Sequence, residues 1–67
     1  MDEVIALENQ IRAAIELLKT KPVISDMRSW RDGRDILLGK KTYITGTRLE
    51  RLRAIAAALL QETKSSN

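Results

Sequence analysis

Residues 25–45 read SDMRSWRDGRDILLGKKTYIT, and the fold turns on whether this stretch is extended or helical. Thr42, Tyr43, Ile44 and Thr45 are β-branched or aromatic, a composition that suits a pleated surface, and Ile36-Leu37-Leu38 is a short apolar run just before them. Gly39-Lys40-Lys41 between the two offers a tight reversal, so residues 35–45 read as a β-hairpin within an extended region of about 27–45. Asp32-Gly33 is a second turn signal. In such a hairpin Thr42 and Ile44 share one face and Tyr43 and Thr45 the other, which makes Ile44 the core member. The alternative is a helix from Ser25 to Leu38, with Ser25 as N-cap and Met27, Trp30 and Ile36 to Leu38 as its apolar side. Gly33 inside that helix costs about 1 kcal/mol relative to alanine.

On either side of this stretch the period is helical. Val4, Leu7, Ile11, Ala14 or Ile15, and Leu18 recur at spacings of three and four, predicting a helix over about 2–20. Acidic Asp2 and Glu3 lie where the helix dipole favours them, and Pro22 stops the ladder. Downstream, Gly46 breaks the chain and Thr47-Arg48-Leu49-Glu50 has the form of a capping box, with Thr47 as N-cap. Leu49, Leu52, Ile55, Ala56, Leu59 and Leu60 then make a second apolar stripe, giving a helix over about 47–62 and a frayed tail over 63–67. The small side chains of Ala56 to Ala58 allow close approach of the first helix. The expected fold is therefore α+β: one domain over 1–67, with two amphipathic helices packed together and a β-hairpin between them.

A chain of 67 residues supports one small core and buries roughly 60% of its unfolded surface, so oligomerisation is a natural supplement to its stability. No cysteine is present, which fits a reducing compartment and removes disulfides and thiolate metal sites as staples. Glu3, Glu8 and Arg12 interrupt the first apolar residues, so neither a signal peptide nor a membrane span is expected. The net charge of +3 is unevenly spread: residues 19–53 hold ten of the twelve bases against four acids. Such a segment favours phosphates or an acidic protein face, with salt-sensitive association.

Catalysis is not expected. Histidine and cysteine are both absent, which removes the commonest general base, the usual zinc ligands and the thiol nucleophile. Asp26, Asp32 and Asp35 have oxygen ligands for a hard metal, but Arg28, Arg31 and Arg34 interleave with them, and solvated ion pairs account for the pattern better. Gly33, Gly39 and Gly46 are spaced as turn residues and do not make a phosphate loop. No cofactor, metal or small-molecule substrate is implied. The candidate contacts with a partner or with DNA are Arg28, Arg31, Arg34, Lys40, Lys41, Tyr43 and Arg48. Lys40 and Lys41 stand at a predicted hairpin tip, where edge protection and phosphate contact are both available roles. Trp30 reads as core, since burying a large aromatic contributes about 2–3 kcal/mol. Tyr43 fits a half-buried sheet position and an interface anchor equally. Arg51 and Arg53 lie off the apolar stripe.

The stretch from Gly39 to Leu52, with its glycine and two bases, a strand ending at Thr45, a short cap and Leu49 and Leu52 in register, resembles the W-type head-to-tail joining proteins of tailed phages. That resemblance implies a structural virion component, made in the bacterial host cytoplasm. It would form a ring of identical subunits against the portal and an adjacent tail or connector protein, and would help retain packaged DNA through non-specific contact. The segment from Pro22 to Leu38 is longer than the corresponding link in that family. Trp30 to Leu60 also looks like the end of a repressor-type helix-turn-helix domain, which implies a small DNA-binding regulator. A small inhibitor or adaptor docking on a larger protein through its helices is the third reading.

Overall fold

In the computed structural model, residues 2–20 and 28–64 are described, and among them the chain forms three α-helices and no strand. Helix α1 spans Glu3–Leu18, α2 spans Arg28–Leu37 and α3 spans Arg48–Lys64. The fold is all-α, and the expected β-hairpin over 35–45 is not there. Pro22, Ser25, Asp26 and Met27 lie outside the described residues.

Local chemistry sets the helix ends. Asp2 caps α1, its Oδ1 accepting from the Val4 N–H at 3.0 Å. At the start of α3 the Glu50 N–H donates to Thr47 Oγ1 at 3.1 Å, while the Thr47 N–H donates to Glu50 Oε1 at 2.9 Å. Two amide donors are thus satisfied reciprocally, as the threonine-glutamate spacing requires. Those bonds hold the Glu50 carboxyl below its ordinary pKa, the backbone bond from Thr47 contributing most.

Gly39 explains why the hairpin failed. It has φ +80°, and its N–H donates to the Ile36 carbonyl at 3.2 Å, while the Lys40 N–H donates to the Asp35 carbonyl at 2.8 Å. This pair of bonds is a Schellman cap, with glycine in the left-handed region just past the end of α2. A glycine followed by two lysines after an apolar run therefore ends a helix here, where a strand turn was expected. Residues 38–47 then run without regular structure to α3. Ile44 in this connection packs on the core, and Tyr43 stays exposed.

The core is Ile11, Ile15 and Leu18 from α1, Ile36 from α2, and Leu52, Ile55 and Leu59 from α3. Trp30 is half-buried and packed against this cluster. Contacts along the α1–α3 seam fix the helix directions. Glu3 and Glu8 meet Arg53 and Arg48 in the first half of α3, while Leu17 shares a groove with Leu60 and Thr63 in its last turns. So α1 and α3 run parallel, and α2 returns between their ends, with Arg28 and Gln61 lining one groove and the Ile36 carbonyl bound by Arg48.

Gly33 lies buried where α2 crosses this pair. A Cβ at Gly33 would stand 2.9 Å from Leu59 Cδ1, 3.2 Å from Ile11 Cγ2 and 3.4 Å from Ile15 Cδ1. The helix-propensity cost of that glycine is offset by the close approach it permits among all three helices.

Candidate nucleic-acid interface

Two sets of arginines emerge from this arrangement. Arg48 Nη2 donates to Glu8 Oε2 at 2.7 Å and to the Ile36 carbonyl at 3.3 Å, so one guanidinium joins the start of α3 to α1 and to the last turn of α2. Arg53 makes a two-pronged pair with Glu3, Nε to Oε2 at 2.9 Å and Nη2 to Oε1 at 2.8 Å. The hydrogen bond from Arg53 lowers the Glu3 pKa, and the Glu3 carboxylate raises that of Arg53. Two of the bases at the head of α3, Arg48 and Arg53, are thereby paired with acids of α1.

The α2 set is different. Arg28, Arg31 and Arg34 are all exposed and follow one another at a spacing of three. Each step of three advances about 4.5 Å and turns about 60° short of a full circle, so the three fan over roughly 120° of the outer face of α2. Arg28 stands over the Tyr43 ring at 4.8 Å, and Arg34 over the Trp30 ring at 5.0 Å. Arg34 Nε is 3.6 Å from Asp35 Oδ1, too long for a hydrogen bond. Arg31, Lys40 and Lys41 have no carboxylate partner among the described residues. Both lysines are exposed just beyond the cap of α2.

Of the seven expected contact residues, the structure places Arg28, Arg31 and Arg34 on α2, Lys40 and Lys41 immediately after it, and Tyr43 under Arg28. Arg48 belongs to the other set, as a brace between helices. Two bases from the first helix and its C-cap join the α2 edge: Arg12 and Lys19 line the groove that also holds Trp30 and Arg34. Arg12 comes from a segment with a surplus of acids, where nothing in the local sequence marks it as a neighbour of α2. Lys19 is paired with Glu16 at 3.2 Å, and Arg12 donates to Asn9 Oδ1 at 3.1 Å.

Asp32 also departs from its expected role. It is 3% exposed, and its Oδ1 accepts from the Tyr43 N–H at 3.4 Å, tying the connection between α2 and α3 back onto α2. One of the two acids of α2 is thus turned inward, and the outer face is left to the arginines.

No family model matches the chain, and neither a curated protein nor a solved structure matches it. Among the described residues no three acidic or other ligating side chains gather as a metal site, and no helix is long and apolar enough to cross a membrane.

The two family resemblances fare differently against this geometry. The joining-protein likeness rested on an extended reversal at Gly39, and its structural support goes with the hairpin. The helix-turn-helix likeness needs a turn of about 3–4 residues, whereas residues 38–47 separate α2 from α3. Of the α3 arginines that would have to reach base edges, Arg48 and Arg53 are held by Glu8 and Glu3, and the Arg51 Nε is buried.

Proposed function

We propose that the protein is a binding module that engages nucleic-acid phosphates through the outer edge of α2, without reading sequence. The observation that carries this reading is the separation of the arginines: Arg48 and Arg53 are paired within the fold, while Arg28, Arg31 and Arg34 face solvent beside Lys40 and Lys41. Guanidinium groups on a rigid helix are suited to phosphate oxygens, which accept from their planar fork of donors. Because α2 is braced against the core at Gly33 and Ile36, the charges are held in place before a ligand arrives.

Electrostatic binding of this kind releases counterions and so weakens as salt is added. With about four phosphates neutralised, affinity falls about 100-fold between 50 and 200 mM salt. Fluorescence anisotropy with labelled duplex and single-stranded DNA of unrelated sequences measures this. The expected result is similar affinity across sequences, a steep salt slope, and at least about a tenfold loss in Arg31→Glu/Lys41→Glu. No binding at 50 mM salt, or binding that the double variant leaves untouched, overturns the proposal. Strong preference for one duplex sequence would overturn it in favour of a specific regulator.

A further inference from the structure

Tyr43 is 73% exposed, yet its place in the connection between α2 and α3 is held from several sides. Its N–H donates to Asp32 Oδ1 at 3.4 Å on α2, and Thr42 Oγ1 donates to the Ile44 carbonyl at 3.2 Å, closing the backbone around it. Ile44 is anchored on the core. The ring lies under Arg28 and lines an open cleft of about 610 Å³ between the start of α2, the connection and the last turns of α3. That volume falls within the range of small-ligand clefts, about 300–1,000 Å³. We propose that this cleft takes an unpaired nucleobase, so that the α2 edge prefers single-stranded nucleic acid to duplex. The inference rests on the phosphate-binding reading of α2 and names the form of nucleic acid that the same site selects.

The lining suits a base on its faces and on its edge. Ile44, Ile55 and Ala58 give the cleft an apolar wall, and the Tyr43 ring and the Arg28 guanidinium are planar groups on which a base stacks. Ser29 and Gln61 also line it, and a hydroxyl and an amide each donate and accept, so they can meet the polar edge of any base. The carboxylates of Asp32 and Glu62 belong to the same lining and disfavour a phosphate inside. Arg31, Arg34, Lys40 and Lys41 do not line the cleft. The charges that attract the backbone thus stand on the outer edge, and the surface that accepts a base lies beside them, with Arg28 and Tyr43 at the junction.

Strandedness follows from what each form of nucleic acid must give up. A duplex keeps its bases stacked and paired, and extracting one costs as much as a new stacking contact returns. An unpaired strand has base faces already available. Every base has a π-face, so the preference is for single strands and not for a sequence, and one stacked base raises affinity about tenfold or more.

Fluorescence anisotropy of the full chain with three labelled DNA probes of equal length tests this: a mixed-sequence single strand, its duplex, and a single strand of abasic sites that keeps the phosphates and lacks the bases. The expected result is that the intact single strand binds about tenfold more tightly than the duplex and the abasic strand. Tyr43→Ala brings the intact strand down to the level of the abasic one, and Tyr43→Phe restores the difference, because stacking needs the ring and not the hydroxyl. Helical circular dichroism is expected to stay unchanged in both variants, since Tyr43 is exposed and outside the helices. An abasic strand bound as tightly as the intact one overturns this proposal and leaves the phosphate reading standing. So does a difference that survives Tyr43→Ala. Binding of none of the three probes at about 50 mM salt is instead the failure of the phosphate reading, and this inference falls with it.

Discussion

The seam between α1 and α3 and the outer edge of α2 use the same side chain for opposite ends. At the seam, Arg48 and Arg53 each find a carboxylate within 3 Å, and the charges cancel inside the molecule. On α2, three arginines meet, among the described residues, aromatic faces, an offset aspartate or solvent. Net charge per segment does not distinguish the two, since both stretches are basic in sequence. What separates them is whether the fold delivers an acid from a distant helix. A basic residue becomes a candidate for an external partner only after that internal pairing has been accounted for.

The largest test of the contrast separates α2 from the seam. Gly33→Leu places a branched side chain where Leu59, Ile11 and Ile15 already stand within contact distance of a single added carbon. Overpacking of this kind costs about 3 kcal/mol, a large share of the stability of so small a domain. The expected outcome in urea denaturation is a midpoint lowered until the native baseline is short or lost. Gly33→Ala is the sharper control. Its gain of about 1 kcal/mol in helix propensity works against the contact with Leu59 Cδ1, the movable end of a side chain, so its effect is much smaller.

Next in size is a double dissociation between the two arginine sets. Arg48→Ala removes the bond to Glu8 and the one to the Ile36 carbonyl, and is expected to lower stability by about 1 kcal/mol while leaving DNA anisotropy titrations unchanged. Arg31→Ala removes no ion pair or hydrogen bond among the described residues and is expected to move stability by less than about 0.5 kcal/mol while weakening DNA binding. Equal effects of both variants on both measurements would erase the distinction on which the functional reading stands.

The same contrast shows what the sequence could reveal. The terminal helices were legible because their signals are local: an apolar repeat, acids at the start of the first helix, and a threonine three residues before a glutamate. The centre was not, because the inward face of α2 is written in residues that do not look inward. Gly33 contributes no hydrophobicity to a periodic pattern, and Asp32 is polar yet buried. With those two positions counted as facing the core, Ser29, Asp32, Gly33 and Ile36 follow helical spacing, and the reading of 25–38 as helix wins. Gly39 misled for a related reason, since a left-handed glycine ends helices and turns strands alike. For the site, Arg28, Arg31 and Arg34 could be found from sequence, because their spacing survives either reading. The brace formed by Arg48 could not, since its acid lies forty positions upstream.

The smallest effect lies at the far end of the seam and depends on pH. Arg53 holds the Glu3 carboxyl below the ordinary carboxylate range in the folded chain, chiefly by hydrogen bonding, and no such partner is available in the unfolded chain. A carboxylate whose pKa is depressed on folding contributes stability that is complete above its unfolded value and is lost as pH falls through the folded one. Glu50 shifts the same way because of Thr47, so both contributions fade together below about pH 4.5. Thermal melts between pH 7 and pH 3 are therefore expected to show a plateau followed by a decline. In Glu3→Gln the plateau should be slightly lower and the decline shallower, while the α2 edge keeps its affinity for DNA at neutral pH. Should Glu3→Gln leave the acid limb unaltered, the pair with Arg53 is not holding charge at the seam. Arg53 would then have to be counted with the arginines that face outward.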